Sequence, residues 1–451
     1  MSVAQHTPRL DALHAYLDGL RPHSRLVLDG ATGTVERTTE TAFAIPDRTG
    51  TAPGETVPCQ GRLLLPPEGE CLVLLWRHDA PLLARNFAGP LRLTGDGPDG
   101  AWTLEALQIY VRVGSGTPER PAWALVAPVN HPLVVSYGDP RPTARVSALI
   151  NNVDVSDQPP LTAQAGRVPI HFEVAPGGQT VKDLHDGRVL RAPSLASFEF
   201  EPWPGATEDD VVAFCVHAGS LCAYATGTHN GIPLVTYIDA AGRPVRRVVR
   251  APLEGPRPTH PALDPRQVPD DLTHLFRDCF DEHVRIQRSA LPWRKLPSYC
   301  GAIEDAGFLE QKFATLMMAI EFFFRTSLLE AHAANESELE RMSITDLIGR
   351  ARTKLQWNIP KHYVRKGLVR LLRNAVAHGG ELPTKDAIEF RAMFDKWRLL
   401  LSRRVLIRLG YTGRVASPER GYASSSPVDD FSEEHNSFGS SAESVGKTRA
   451  D

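Results

Sequence analysis

The sequence predicts an α+β protein of several domains, in which a β-rich, sandwich- or barrel-like N-terminal region precedes an all-α bundle of four main helices. Up to about residue 205, short runs rich in Val, Leu and aromatic residues alternate with Gly, Pro and Asp clusters, which is typical of strands and turns. Beyond residue 270, apolar residues recur at three- and four-residue spacing, which is typical of helices. A chain of 451 residues is long enough for two or three such domains.

Composition and cysteine usage exclude several classes of protein. Hydrophobic residues make up 42% and charged residues 23%, as in ordinary soluble proteins, and the net charge of −3 means that a nucleic acid would have to bind a local basic patch. The six cysteines form no C-x2-C pair, so we expect no metal site, no disulfide framework and no cofactor. Without a signal-like N-terminus or a run of about 18 apolar residues, the expected location is the cytoplasm and no membrane partner is expected.

Residues 1–250 are predicted to form a sensing or interaction domain, because they carry no P-loop, nucleophile elbow or dinucleotide fingerprint. A helix with a broad apolar face is predicted from Asp209, followed by two strands. The predicted strands are Arg25–Asp29, Gly61–Leu65, Cys71–Trp76, Ala106–Val113, Trp123–Val126, Pro132–Ser136, Ala144–Ile150, Pro169–Val174, Ser197–Phe200, Pro233–Ile238 and Val245–Val249.

Two features of this region admit more than one interpretation. The strand Arg243–Arg250 carries four arginines, which fit either a basic edge for RNA or, as we favour, a solvated edge strand that resists aggregation. Cys215 and Cys222 lie about two helical turns apart, which fits small core residues better than a redox or metal site.

The second half of the chain divides into a connector, a helical domain and a tail. A proline-rich connector spans 251–267, and helices are predicted over 268–410, including a long helix through Leu309 and Leu328, a short one capped by Ser343 and a last one from Thr384 to about Leu409. Residues 416–451 are rich in Ser and acidic residues and poor in apolar ones, which predicts a disordered tail.

The strongest candidate site lies at the end of the helix predicted from about Pro360 to His378. Arg373 and Asn374 are followed by His378 and then by Gly379-Gly380, which are residues that commonly end a helix. Asn374 and His378 are four residues apart and therefore neighbours on the helix surface, while the long Arg373 side chain reaches the same place. Alternatively, these residues simply close a surface helix end.

An Arg-polar-x3-His run that ends a helix resembles the signature of HEPN domains, four-helix modules that are often RNases. The resemblance implies that Arg373, Asn374 and His378 are the catalytic residues and that the site lies at a homodimer interface. Before the helices, Tyr224-Ala225-Thr226-Gly227-Thr228 is followed by the predicted strand pair within Ile232–Arg250. This arrangement of a β-rich N-terminal region and then a HEPN module also resembles ApeA-like proteins, which are linked to bacterial anti-phage abortive infection. The resemblance implies an RNA substrate, tRNA or another cellular RNA, and a phage-derived trigger.

The chemistry of such a site requires no metal, because RNA supplies its own nucleophile, the 2′-hydroxyl. His378 would transfer protons and Arg373 would stabilise negative charge on the phosphate, giving 2′,3′-cyclic phosphate ends.

Residues near the motif extend this interpretation. Glu321 is a candidate accessory residue, although a helix-paired charge explains it too. RNA phosphates are expected to contact four basic residues, or these simply form a charged outer face: Lys361, Arg365, Lys366 and Arg370. The competing interpretation of the whole chain is a non-catalytic dimeric module with a β-rich ligand- or protein-sensing domain.

Overall fold

The structure of the protein, a computed structural model, divides into two compact units. The first, here called the β unit, comprises residues 1–160, 170–215 and 231–254; the second, the helical unit, comprises 161–169, 216–230 and 255–451. The described residues are 38–46, 53–64, 72–77, 91–97, 100–106, 109–114, 122–128, 133–151, 153, 161–174, 182–185, 188–191, 195–249, 262–263, 271–305, 309–364, 387–416 and 425–429.

Strands dominate the described part of the first 250 residues, as the alternation of apolar runs and turn residues predicts. The predicted strand Arg25–Asp29 lies outside the described residues. The strands are β1 (Thr38–Pro46), β2 (Pro53–Leu64), β3 (Leu72–Arg77), β4 (Leu91–Gly97), β5 (Gly100–Ala106), β6 (Ile109–Gly114), β7 (Ala122–Pro128), β8 (Leu133–Tyr137), β9 (Arg145–Asn151), β10 (Leu161–Ala165), β11 (Val168–Val174), β12 (Lys182–His185), β13 (Arg188–Arg191), β14 (Leu195–Phe200), β15 (Leu234–Ile238) and β16 (Pro244–Val249).

The strands of the β unit form an antiparallel sheet, which confirms the predicted antiparallel arrangement of strands. Their order is β11-β14-β9-β15-β16-β8-β5-β4-β1-β2-β3-β7-β6, and β12 pairs separately with β13. The neighbours in this order run antiparallel throughout. The arginine-bearing strand β16 therefore lies between β15 and β8, so our interpretation of it as an edge strand is wrong.

A row of aromatic rings forms part of the core of the β unit. Phe198 and Phe200 alternate along β14 with the half-buried Glu199, so both phenylalanines face the interior. Their ring centroids lie 6.2 Å apart, Phe172 lies 5.6 Å from Phe198, and Phe214 lies 4.6 Å from Phe200. Burying each such ring contributes about 1.5–3 kcal/mol.

Helix α1 (Glu208–Thr226) has a sequence-encoded start and end. Thr207 Oγ1 accepts a hydrogen bond from the Asp210 backbone N–H, and the Asp210 carboxylate accepts one from the Thr207 N–H, which together form a capping box. The helix ends at Gly227, whose φ of +72° favours glycine. Both the helix predicted from Asp209 and its apolar face, including the buried Cys215 and Cys222, are confirmed.

The helical unit contains several of the helices that the three- and four-residue spacing predicts. Most of the helix predicted from about Pro360 to His378 lies outside the described residues, and its described part, Lys361–Val364, is a 3-10 turn. Ser343 caps its helix as expected, since its side chain accepts a hydrogen bond from the Asp346 N–H. The long helix buries the predicted stripe, including Phe313, Ile320 and Phe323. The helices are α2 (Asp271–Gln287), α3 (Leu296–Asp305), α4 (Leu309–Glu330), α5 (Glu336–Glu340), α6 (Ile344–Lys354) and α7 (Ala387–Arg408), with 3-10 turns at Pro292–Lys295 and Lys361–Val364.

Two parts of the helical unit differ from the sequence-based expectation. The break expected around Pro292 and Pro297 contains a 3-10 turn and then α3, because proline is compatible with the first turn of a helix, where its missing N–H has no partner to lose. Near the C-terminus, β17 (Arg414–Ala416) pairs with β18 (Ser425–Pro427), and β18 lies inside the range 416–451 that was expected to be disordered. Val428 beside this pair is buried, so this short segment does have an apolar anchor.

Candidate functional site

The predicted catalytic residues Arg373, Asn374 and His378 lie outside the described residues. The same holds for three of the four basic residues proposed to contact RNA, namely Arg365, Lys366 and Arg370. The fourth, Lys361, is exposed at the start of the 3-10 turn Lys361–Val364. The catalytic assignment therefore remains a prediction from the sequence, and the structure describes the elements on either side of it.

The chain that leads into the predicted site is anchored on helix α7. Tyr363 is fully buried, its hydroxyl donates a hydrogen bond to the Lys396 carbonyl at 3.1 Å, and its ring meets the Trp397 ring edge-on at a centroid distance of 4.8 Å. Arg404, also on α7, donates a hydrogen bond to the Asn358 carbonyl. These contacts hold Asn358 and Tyr363 against α7.

Glu321, the predicted accessory residue, is engaged in a salt bridge within its own helix. Its carboxylate accepts hydrogen bonds from Arg325 four residues later, with the closest nitrogen 2.8 Å away. Arg325 also donates to the backbone carbonyls of Leu339 and Met342, so it ties α4 to the loop after α5. This arrangement fits the helix-paired charge that we considered as the alternative for Glu321.

A buried carboxylate that the sequence analysis did not single out lies at the end of α3. Glu304 is 1% exposed, accepts a hydrogen bond from Lys312 Nζ at 2.7 Å, and forms an ion pair with Arg398 of α7. Burial raises the pKa of Glu304. The charge of Arg398 and the hydrogen bond and charge of Lys312, with a smaller contribution from Arg391, together lower the pKa by more than burial raises it. The net pKa is below the usual value, so Glu304 stays ionised and acts as a structural anion.

The Glu304 cluster lies beside a turn with its own hydrogen-bond network. Gly227 approaches Arg398 and Glu304, since a Cβ built on it would lie 3.8 and 3.9 Å from their side-chain atoms. Next to it, the Thr226 and Thr228 hydroxyls and the Asn230 amide bond one another at 3.1–3.3 Å. The cavity beside these groups measures about 10 Å³, which holds at most one water molecule.

A second buried polar group, His283 of α2, is surrounded by rings instead of charges. It is 0% exposed, its ring centroid lies 5.4 Å from that of His217 and 5.5 Å from that of Tyr224, and neither ring nitrogen has a hydrogen-bond partner among the described residues. Burial, assisted by the charge of His217, lowers the pKa of His283 to about 3. A group with this pKa is neutral at pH 7 and poorly matched to general acid–base catalysis there.

Four of the six cysteines are core residues. Cys215, Cys222, Cys279 and Cys300 are buried and not disulfide-bonded, and burial raises the pKa of Cys222 and Cys300 to about 12. Thiols with such pKa values are protonated and unreactive at neutral pH. Within the part of the chain that the structure describes, no group of three or more His, Cys, Asp or Glu side chains is arranged to hold a metal ion.

The arginines of β16, which were considered as a basic edge for RNA, have surroundings that the sequence did not predict. Arg247 is 3% exposed and donates a hydrogen bond to the Tyr137 hydroxyl at 3.1 Å, whereas Arg246 pairs with Glu208 at 2.9 Å. A sequence pattern shows four arginines in a row of eight residues but not which strand lies on either side. Neither residue therefore belongs to a continuous exposed basic edge.

Comparisons with known proteins give no relative from which a function could be transferred. No protein-family model, curated protein or solved structure matches this chain. Among the helices that the structure describes, none has the length and apolar character needed to cross a lipid bilayer.

Proposed function

We propose that this protein is a metal-independent endoribonuclease of the HEPN type, with Arg373, Asn374 and His378 as its catalytic residues. The observation that carries the proposal is the run Arg373-Asn374-x3-His378 followed at once by Gly379-Gly380. Helices α4 and α7 on either side of this run in the sequence, with their apolar cores, support a bundle of four main helices around it. We also propose that the helix predicted from about Pro360 to His378 is the third long helix of a complete HEPN bundle.

The reaction is a transesterification within the RNA. The 2′-oxygen attacks the adjacent phosphorus and the bond from phosphorus to the 5′-oxygen breaks, leaving a 2′,3′-cyclic phosphate and a 5′-hydroxyl. One group accepts the proton of the 2′-hydroxyl, and another donates a proton to the departing 5′-oxygen. His378 performs proton transfer because imidazole titrates near neutral pH, Arg373 stabilises the extra charge on the phosphorane, and Asn374 orients the histidine or a phosphate oxygen.

A homodimer accounts for the second proton-transfer group. One copy of the run supplies a single histidine, whereas the reaction needs a base and an acid. A two-fold axis brings the same surface of two copies together and would place two histidines in one composite site. The four basic residues proposed to contact RNA, Lys361, Arg365, Lys366 and Arg370, would then receive phosphates on both sides of the scissile bond.

The biological role proposed is cytoplasmic anti-phage defence by abortive infection. A nuclease that cuts cellular RNA, tRNA among its substrates, needs an inactive state in healthy cells. The β-rich region, which we propose to be sandwich- or barrel-like, serves as the sensing or regulatory domain that responds to a phage-derived trigger. The antiparallel sheet of the β unit, with no catalytic motif in its sequence, supports a sensing role over a second activity.

The direct test is cleavage of a labelled RNA in EDTA by the parent and by folded, dimeric Arg373→Ala and His378→Ala variants. We expect the parent to leave cyclic phosphate ends and both variants to be slower by about 10²–10⁴-fold, the usual contribution of positioned proton transfer and charge stabilisation. Arg341→Ala is the matched control, because Arg341 is exposed and lies outside the run. Equal cleavage by all four proteins would overturn the assignment of the site.

A cellular test covers the need for a trigger. Cells expressing the parent or the His378→Ala variant are challenged with phage, and lysate from infected cells is added to the RNA assay. We expect arrested growth and cleavage with the parent and neither with the variant. Absence of cleavage under every condition, combined with loss of dimers in the Arg373→Ala variant, would favour the non-catalytic dimeric module.

A further inference from the structure

The β unit contains a cavity large enough for a small molecule, in a region to which the proposed nuclease function assigns no ligand. Its volume is about 320 Å³, within the range of about 300–1,000 Å³ that ligand pockets occupy. By contrast, the cavity beside Glu304 in the helical unit measures about 10 Å³. The larger cavity is lined by the ends of β8 and β15, by β16 and by the first turn of α1.

The charged residues that line this cavity are two arginines and one glutamate. Arg141 is held firmly, because its Nη1 donates to the buried Asp239 at 2.6 Å and its Nη2 donates to the Pro244 carbonyl at 3.0 Å. Asp239 in turn accepts hydrogen bonds from the Ala241 and Arg243 N–H groups at 2.9 Å, so a tight turn fixes the Asp239 carboxylate that holds Arg141. The guanidinium of Arg141 is thereby oriented before any ligand arrives.

Arg246 is less committed than Arg141. Its Nη2 lies 2.9 Å from the Glu208 carboxylate, and both side chains of this pair are more than a third exposed, at 38% and 39%. The Nε atom of Arg246 is buried and has no hydrogen-bond partner among the described residues. An exposed ion pair contributes about 1 kcal/mol or less, so a ligand can displace Glu208 at low cost.

The amides of the first turn of α1 do not supply the anion contact. Thr207 and Asp210 already cap that turn through reciprocal hydrogen bonds at 2.7–3.2 Å. The remaining walls are mainly apolar and include Pro140, Pro202 and Val211. The cavity is therefore lined by two arginine side chains, Arg141 paired with Asp239 and Arg246 paired with Glu208, and by an apolar surface that suits the body of an organic molecule.

We propose that this cavity binds a small organic phosphate of about the size of a nucleoside monophosphate, with its phosphate on Arg141 and Arg246. Two guanidinium groups match a doubly charged phosphate, to which arginine binds through paired, charge-assisted hydrogen bonds. A zwitterionic amino acid would instead place its ammonium on Glu208 and needs only one arginine. The inference concerns the β unit alone and does not rest on the nuclease activity.

The test is isothermal titration calorimetry of the full chain with AMP, GMP, CMP and UMP, beside inorganic phosphate and glutamine. We expect at least one nucleoside monophosphate to bind more tightly than inorganic phosphate or glutamine. Arg246→Ala should weaken that binding by roughly 10- to 100-fold, because charge-assisted hydrogen bonds are lost, while Arg246→Lys keeps part of it. Glu208→Gln should strengthen it severalfold, because a competing anion is removed.

Three controls keep the result specific. Arg294→Ala removes an exposed arginine from the helical unit and should bind like the parent, and a thermal melt confirms that each variant is folded. His378→Ala should also bind like the parent, which separates this cavity from the proposed nuclease site. Absence of binding of every nucleoside monophosphate at millimolar concentration, unchanged binding by Arg246→Ala, preferential binding of glutamine, or binding only of a 5′-phosphorylated RNA would each overturn the proposal.

Discussion

Two regions of the helical unit bury an ionisable side chain in opposite ways. Around Glu304, two cationic side chains keep a carboxylate charged although it is 1% exposed. Around His283, aromatic rings and a second histidine keep an imidazole neutral, with no hydrogen-bond partner among the described residues. Moving a charge out of water costs several kcal/mol, so a buried group either obtains an opposite charge or gives up its own.

The difference indicates where each region is vulnerable. The Glu304 region depends on its ion pairs, because removing Glu304 or Arg398 leaves the other charge buried without its partner. The His283 region depends on pH, because only protonation would create a buried charge there.

Glu304→Ala should lower the free energy of unfolding by about 3–5 kcal/mol, because it leaves the buried Arg398 and the half-buried Lys312 without their anion. Urea denaturation followed by circular dichroism measures the change. Glu310→Ala is the matched control, since Glu310 is exposed on α4 and should shift the value by no more than about 0.5 kcal/mol. In the double variant Glu304→Met/Arg398→Met, much of the loss should be recovered; equal losses in Glu304→Ala and Glu310→Ala would contradict the role of the cluster.

His283→Leu should change the pH dependence of stability. The pKa of about 3 in the folded protein lies below the ordinary value of 6.5, so only the unfolded chain takes up a proton between these values. The stability of the parent is therefore highest above pH 6.5 and falls with acidification by up to about 1.4 kcal/mol per pH unit from this group. The variant should lack this loss of stability at low pH, which is measured as the free energy of unfolding of both proteins at pH 7.5, 6 and 5. The same pH dependence in both proteins would show that His283 is not buried in its neutral form.

Gly227→Ala should lower the free energy of unfolding by about 1–2 kcal/mol. At a φ of +72° an alanine is strained, although a Cβ there meets only ordinary contacts with Arg398 and Glu304. Thermal denaturation measures the loss. A loss as large as that of Glu304→Ala would mean instead that the turn and the ion cluster form one coupled unit.

Glu321→Gln should have the smallest effect, about 0.5 kcal/mol or less. The Glu321–Arg325 pair is an i,i+4 salt bridge with side chains 37% and 25% exposed, and such pairs contribute little because water already solvates them. The same variant should cleave RNA at the parental rate, since the pair is structural. A loss of cleavage without a loss of stability would return Glu321 to the catalytic site.

Much of the architecture could be predicted from residue spacing alone. The stripe through Phe313, Ile320 and Phe323 predicts α4, and the Ser343 cap predicts α6, because both depend on residues within one or two helical turns. The strand pair β15 and β16 follows from two apolar runs around a short turn. The catalytic run, Arg373 to His378, remains a prediction of the sequence.

The settings of individual charged residues could not be predicted in this way. The arginine strand fits an exposed edge by its composition, yet β16 pairs on both sides, Arg247 is buried and Arg246 lines a cavity. Glu304 lies 94 residues from Arg398 in the sequence, so no local sequence pattern predicts their contact. Arg141 and Asp239 are 98 residues apart, so their contact could not be predicted from the sequence either.

Although strands β1, β4, β10, β12 and β13 were not predicted, the sequence by itself determined many of the other helices and strands, where several of them begin and end, and which run of polar residues is the candidate for catalysis. These features depend on local periodicity, capping and turn chemistry. Only the tertiary structure decided strand order, the burial of Glu304 and His283, and the cavity that Arg141 and Arg246 line. Each of these depends on the desolvation and pairing of groups distant along the chain, and those energies exist only once the chain has brought the groups together.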